Sequence, residues 1–417
     1  MKKFLFSSIL LCMVLVLFML FGTIFSFAQE VTTIKYITLA GAQMDFMDEM
    51  VSKFEKENPN IKVKVEDWPY EENYTKYITS IKAGNPPDCG YVWITNLDEF
   101  RKRGALVPVD EYISDALKQD FYKALVDQVT LEDGKMWAIP AWFSTRLFMY
   151  RKDILDKHGI GIPRSPEDLL AMAKALHNPP EMYGFCFPGG STRHIWRWFT
   201  IQLWGRGGNF FTPDMKKVAF NDKAGVEALT FLNEMKPYFQ PGYLQATEHD
   251  LQILFYEGKV PAIQLYSTVM TGGEIEKNPD WKIVAEFPPV EKKLTLGIMD
   301  VFCIFKTTPE KQKAAGKWLE FIHRNEYRTK ENIKQGYQPV KESEASDFMQ
   351  TDLVKKYPEV KKFLDSTPYA QFEPLHPLWQ QIQDILGRYI QKCFLGDLTP
   401  QQALDAAAKE SNELLAE

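Results

Sequence analysis

A two-lobed α/β fold is predicted by three features of the chain. Near the start, strand-like alternation and helix-spaced apolar residues take turns, and each segment is closed by glycine or proline. The 417 residues exceed what one hydrophobic core usually organises. No Gly/Ser-rich or Pro-rich linker divides them, so the chain is expected to pass between lobes on structured segments, as in a hinged clam-shell.

The elements follow in order. Thr33–Thr38 alternates as a strand. Met44–Glu57 has Phe46, Met50 and Phe54 on one helical face and stops at Asn58-Pro59. Ile61–Val65 is a second strand, with β-branched residues at every other position. Tyr74–Ala83 is a helix ended by Gly84, which tolerates a left-handed backbone, and by Pro86-Pro87. Cys89–Trp93 is a short apolar strand and Leu97–Lys102 a helix. Strand, helix, strand, helix, strand implies a parallel sheet with crossover helices. Ligands in such sheets sit beyond the carboxyl ends of the strands. Ala40–Asp45, Trp93–Asn96 and Trp142–Arg146, the last taken as the loop after Ala138-Ile139-Pro140, are therefore the segments of interest.

A second α/β unit is expected from Leu147–Tyr150 onward. Helices are expected at Pro166–Ala175, Trp196–Leu203, Lys223–Met235 and Pro309–His323, and strands at Val260–Tyr266 and Leu296–Phe305. The final third reads as helical at Asp352–Phe363, Leu378–Phe394 and Pro400–Leu415.

The first thirty residues read as an address. Lys2 and Lys3 precede an uncharged apolar run from Phe4 to Phe27, and Ser26-Phe27-Ala28 fits a signal-peptidase site with cleavage before Gln29. The alternative is an uncleaved anchor, since the run is long enough to span a bilayer. Cys12 lies in mid-run without the small residue expected before a lipidated cysteine. An exported protein is expected, free in the periplasm of a cell with two membranes.

The remaining composition excludes several classes. Lys and Arg total 49 against 55 Asp and Glu, and the leader removes two of the lysines, so no concentrated positive surface for nucleic acid or anionic membrane is expected. Cys89, Cys186, Cys303 and Cys393 form no CxxC pair and have no histidine cluster nearby, so a zinc site is not predicted and disulfide pairing stays open. No GxSxG, HExxH or P-loop motif occurs. No enzyme activity, cofactor or metal is predicted.

Several landmarks occur together in a definite order. They begin with Phe54-Glu55-Lys56-Glu57-Asn58-Pro59-Asn60-Ile61, Ala83-Gly84-Asn85-Pro86-Pro87-Asp88, Gly104-Ala105-Leu106-Val107-Pro108 and Asp133-Gly134-Lys135-Met136-Trp137-Ala138-Ile139-Pro140. Met149-Tyr150-Arg151-Lys152-Asp153, Phe255-Tyr256-Glu257-Gly258-Lys259 and Gly396-Asp397-Leu398-Thr399-Pro400 follow. The ordered set, spread over nearly the whole chain after the leader, resembles the family 1 extracellular solute-binding proteins of ABC importers, which include maltose-binding protein. The resemblance implies a type II periplasmic-binding fold: two α/β lobes, three crossover segments and a ligand cleft between them. Crossovers are expected near Pro140, near Phe287-Pro288-Pro289 and near Phe305-Lys306-Thr307. The signal peptide would then be 1–28, the N-terminal lobe 29–141 with 287–306, and the C-terminal lobe 142–286 with 307–417. Two segments depart from the family pattern: Arg164-Ser165-Pro166, at a helix cap, and Leu296-Gly297-Ile298-Met299-Asp300, which lacks a second glycine and borders the cleft.

A sugar site requires aromatic faces for the pyranose ring and fixed polar groups for its hydroxyls. The chain has 10 Trp. Trp93 ends the third strand and Asn96 follows it; Trp93 either stacks on ligand or plugs the sheet edge. Trp142, Ser144 and Arg146 follow the first crossover; Arg146 either meets ligand or forms an inter-lobe ion pair. His194, Trp196 and Trp198 surround Arg197, though Trp196, Phe199 and Leu203 share a helical face that reads equally as core. Tyr266 and Ser267 follow a strand at a position where the family places an aromatic ring. Asp300 either accepts from hydroxyls or caps a loop. Trp379 resembles a stacking tryptophan of the family or packs its helix on the lobe. Gln43 and Asp45 are hydroxyl partners, unless Asp45 only caps the following helix.

The resemblance implies a monomeric carbohydrate receptor, for an oligosaccharide, that delivers its solute to the permease subunits of an ABC importer. The alternative is the same fold binding a polyol, phosphorylated polyol or acidic sugar through Arg146, Arg193 or Arg197. A secreted glycosidase, which needs two cleft carboxylates at a defined separation, is the reading from a different class.

Overall fold

The computed structural model describes residues 31–39, 46–69, 72–270 and 273–416. The leader with its cleavage point at Ala28, and the loop carrying Gln43 and Asp45, lie outside these residues.

The described strands are β1 (Thr32–Leu39), β2 (Ile61–Trp68), β3 (Cys89–Trp93), β4 (Leu106–Val107), β5 (Ile139–Arg151), β6 (Ala262–Leu265), β7 (Ile283–Glu286), β8 (Thr295–Phe305) and β9 (Ala370–Gln371). Their main order is β2-β1-β3-β8-β5-β6. β1 runs parallel to β2 and β3, with the helices Met47–Glu57 and Asn73–Lys82 as the crossovers. β8 enters antiparallel to β3 and places Asp300 opposite Trp93.

Two strands carry the chain between lobes. Residues Ile139–Arg146 of β5 pair with β8, whereas Leu147–Arg151 pair with β6 and β7. The expected loop at Trp142–Arg146 is therefore the middle of one long strand. All of β5 is buried, because its residues are covered on both faces as it passes from one core to the other. A register shift between Pro140 and Trp142 marks where proline withdraws an amide from the ladder.

Two hydrophobic cores result. One holds Tyr36, Phe54, Tyr77, Phe100, Trp142 and Phe302, and the other Phe148, Phe187, Trp196, Phe255, Trp379 and Leu404. The helix Pro309–Ile322 differs from the expected assignment to the C-terminal lobe. Its Trp318 packs edge-on against Tyr36 and Phe54, in the first core, because Ala314, Trp318, Leu319 and Ile322 form one apolar face. Val340 belongs to the same core, and the chain rejoins the second core at Phe363. The third passage thus falls between Val340 and Phe363, over a small separate cluster of Phe348, Val354 and Val360, and not near Lys306. Pro358 divides the expected helix Asp352–Phe363 into Asp352–Lys356 and Val360–Ser366.

Cys89, Cys186, Cys303 and Cys393 are buried free thiols. Among the described residues no helix is long and apolar enough to cross a membrane, and no group of metal-binding side chains converges.

Candidate ligand-binding cleft

A cavity of ≈ 850 Å³ lies between Tyr74, Trp93, Thr95 and Asn96 on the first lobe and Thr192, Leu378, Gln381 and Asp384 on the second. Trp93 and Thr95 also line a smaller cavity of ≈ 50 Å³, whose other walls are Arg197, Met299, Asp300, Phe372 and Glu373. β3 brings Trp93 there because its last residue leaves the sheet with extended backbone (ψ 132°) before the turn Ile94–Asn96. β8 brings Asp300 into register with Trp93, and Tyr91 donates its hydroxyl to Asp300 Oδ2 at 2.8 Å, fixing the carboxylate. Glu373 is fixed likewise, since Oε2 accepts from Trp379 Nε1 at 3.0 Å and Gln383 Nε2 at 2.9 Å.

Of the residues expected to meet ligand, Trp93, Asn96 and Asp300 line these cavities together. His194 and Tyr266 are half-buried, and the other described ones are buried elsewhere. Trp142 stacks on Tyr337 and donates Nε1–H to Glu331 Oε1 at 2.7 Å. Trp196 and Trp379 meet edge to face at 5.6 Å, both fully buried, and Trp198 packs among Phe148, Phe185 and Phe187. Such T-shaped clusters satisfy the aromatic quadrupoles without ligand. Ser144 is buried on β5, and Ser267 donates to the Gly336 carbonyl at 2.6 Å.

Arg146 is buried too. Its Nη1 and Nη2 donate to Glu248 Oε1 and Oε2 at 2.6 and 3.0 Å, and its guanidinium sits 5.6 Å over the Tyr266 ring. Arg197 Nη1 lies 3.6 Å from Glu248 Oε1, and His194 Nε2 lies 4.0 Å from Oε2. Burial alone would raise the Glu248 carboxyl, but Arg146 and then Arg197 outweigh it and hold it at about 2. Glu248 thus gathers Arg146 from one candidate segment with His194 and Arg197 from another.

Glu248, Phe372 and Glu373 escaped sequence reasoning. Thr247 and Asp250 form a reciprocal capping box around the start of the helix Glu248–Tyr256, so Glu248 reads as an ordinary first-turn acid. Phe372 and Glu373 follow the two-residue strand β9, too short to leave an alternation pattern.

The model of bacterial extracellular solute-binding proteins matches residues 40–329. A chain of Brucella abortus, named only as a binding protein, is 28% identical over 379 residues, which are 89% of this chain and 90% of that one. The sn-glycerol-3-phosphate-binding periplasmic protein of Shigella dysenteriae is 23% identical and covers 93% of both. Among solved structures, the cyclic α-maltosyl-1,6-maltose binding protein of Arthrobacter globiformis superposes with a TM-score of 0.78 at 20% identity, over 92% of this chain and 99% of that one; the likeness shows the type II fold. This chain belongs to the bacterial extracellular solute-binding protein family.

Proposed function

We propose that the chain is the substrate-binding component of an ABC importer that closes its lobes on a neutral carbohydrate, an oligosaccharide, and delivers it to the membrane permease. Export by cleavage of the leader, work in the periplasm as a monomer, and binding without turnover belong to the same reading. One observation carries it: Trp93 lines both the outer cavity of ≈ 850 Å³ and the inner one of ≈ 50 Å³, which is too small for a sugar ring by itself and sets Phe372, the carboxylates Asp300 and Glu373 and the Arg197 guanidinium beside the Trp93 indole. Aromatic faces and fixed acceptors suit a pyranose and its hydroxyls, while paired carboxylates repel an anion. The outer cavity, ≈ 850 Å³, has room for more than one sugar unit. Lobe movement about β5 and β8 would be a population shift drawn by contacts made on both sides.

Calorimetric titration with neutral mono- and oligosaccharides tests this. Binding of an oligosaccharide, with no cleavage product on prolonged incubation, is expected; binding of a polyamine or phosphate ester alone would sink it. The second reading, a phosphorylated polyol, draws on the Shigella relative and on Arg197 at the cavity wall. Against it, Arg146 has both Nη donors on Glu248.

A further inference from the structure

We propose that Glu248 is the specificity-determining residue that makes this cleft reject anions. The inference rests on the neutral-carbohydrate reading above and names the group that enforces it. Glu248 does not itself line the cavity; it stands one layer behind the wall residue Arg197, and Arg146 converges on it as well. Its side chain is 13% exposed, and that of Arg146 2%. A charge held so far from water acts on its neighbours through a low effective dielectric and is only weakly screened by salt.

The arrangement has a consequence for the ligand. Arg197 lines the inner cavity beside Asp300 and Glu373, and its planar fork suits hydroxyls as well as phosphate or carboxylate. A carboxylate shared by two guanidiniums lowers the positive potential that Arg197 presents. Hydrogen-bond donation to a neutral hydroxyl survives this, because it needs geometry more than net charge. Attraction of an anion does not. Glu248 also fixes the Arg146 guanidinium in bidentate contact, so that it cannot swing to a second anion. The placement comes from the capping box, which sets Glu248 at the first position of its helix with Thr247 Oγ1 and Asp250 locked to one another.

The test is Glu248→Gln, which keeps the shape and removes the charge. Wild type and E248Q are titrated with sn-glycerol 3-phosphate, glucuronate and a neutral glucose oligosaccharide, at two salt concentrations. E248Q is expected to bind at least one of the anions tenfold or more tighter than wild type, with a gain that shrinks in high salt, and the neutral ligand within about fivefold of wild type. An unchanged anion affinity in a folded E248Q overturns the proposal. So does a gain equal for anion and neutral ligand, which would report a looser cleft. The double variant R146Q/E248Q removes one charge of each sign and is expected to return anion affinity to the wild-type level. It also serves if E248Q alone fails to fold, since a tenfold anion gain in the charge-conserving double variant contradicts the proposal. The neutral-carbohydrate reading is judged on wild type alone and the role of Glu248 on the ratio of variant to wild type, so the two fail separately.

Discussion

The indole of Trp142 donates to Glu331 across 2.7 Å, with both side chains nearly sealed from water. This bond ties β5, the first strand to cross between lobes, to the helix Asn325–Gln335, whose Arg328 is itself bonded to Glu331 and to the Ala141 carbonyl. Burial raises the Glu331 carboxyl, against the Arg328 cation and the Trp142 donor, which lower it. Trp142 therefore holds the crossing strand to this helix. Trp142→Phe is expected to lower the unfolding free energy by about 3 kcal/mol, from lost volume and an unpaired carboxyl oxygen. Solute affinity should stay within a few-fold. Urea unfolding and calorimetry on the same preparation separate the two effects.

Gly297 is where the strand lets an aromatic ring approach the cleft. A Cβ there would meet Phe372 Cε1 at 2.8 Å and Ala370 Cβ at 3.0 Å. Gly297→Ala is expected to displace the Phe372 ring from the inner cavity and weaken solute binding about tenfold, at a stability cost of about 1 kcal/mol. A titration that finds wild-type affinity would show that Phe372 does not touch the solute.

Stability should fall in mild acid. Burial, aided by the Arg328 cation, holds His323 at about 3, against the Leu319 and Pro140 carbonyls that face its two ring nitrogens at 2.6 and 3.0 Å. The unfolded chain takes up this proton near pH 6.5, so the folded state is favoured above that value and loses the advantage as pH falls toward 3. Glu248, depressed to about 2, adds a second loss lower down, from the ordinary carboxylate range toward pH 2. Unfolding free energies measured between pH 7.5 and 4 should decline, and His323→Gln should flatten the slope. Parallel slopes in variant and wild type would contradict this.

The parallel start of the sheet was legible because β1 and β2 alternate in sequence, β3 is a short apolar run, and glycine or proline stops the helices between them; the observed bounds fall within two residues or so of the expected ones, except β2, which runs on to Trp68. The crossing strand was not. In β5 every residue is buried, so the period of two vanishes and the run Trp142–Arg146 looked like a ligand loop. The tryptophans misled for a related reason. A ring on an apolar helical face reads alike whether it meets a sugar or another ring, and only the packing of Trp196 on Trp379 decides. Trp93 was singled out because strand ends are where α/β sheets open, whereas Asp300, expected beside a crossover, lies in the middle of β8 and reaches the same cavity through its register with Trp93. Glu248, set by a helix cap and paired across 102 residues with Arg146, left no local trace.

Trp93, shared by both cavities, gives the most direct measurement: calorimetric titration of wild type and Trp93→Ala with a panel of neutral oligosaccharides. One of them should bind wild type at micromolar affinity or tighter and lose at least tenfold in the variant, about the 1.4 kcal/mol expected of one stacked ring, while the melting temperature hardly moves. If no neutral carbohydrate binds wild type, or if Trp93→Ala binds as well as wild type, the solute does not lie against this tryptophan and the account of the cleft is contradicted.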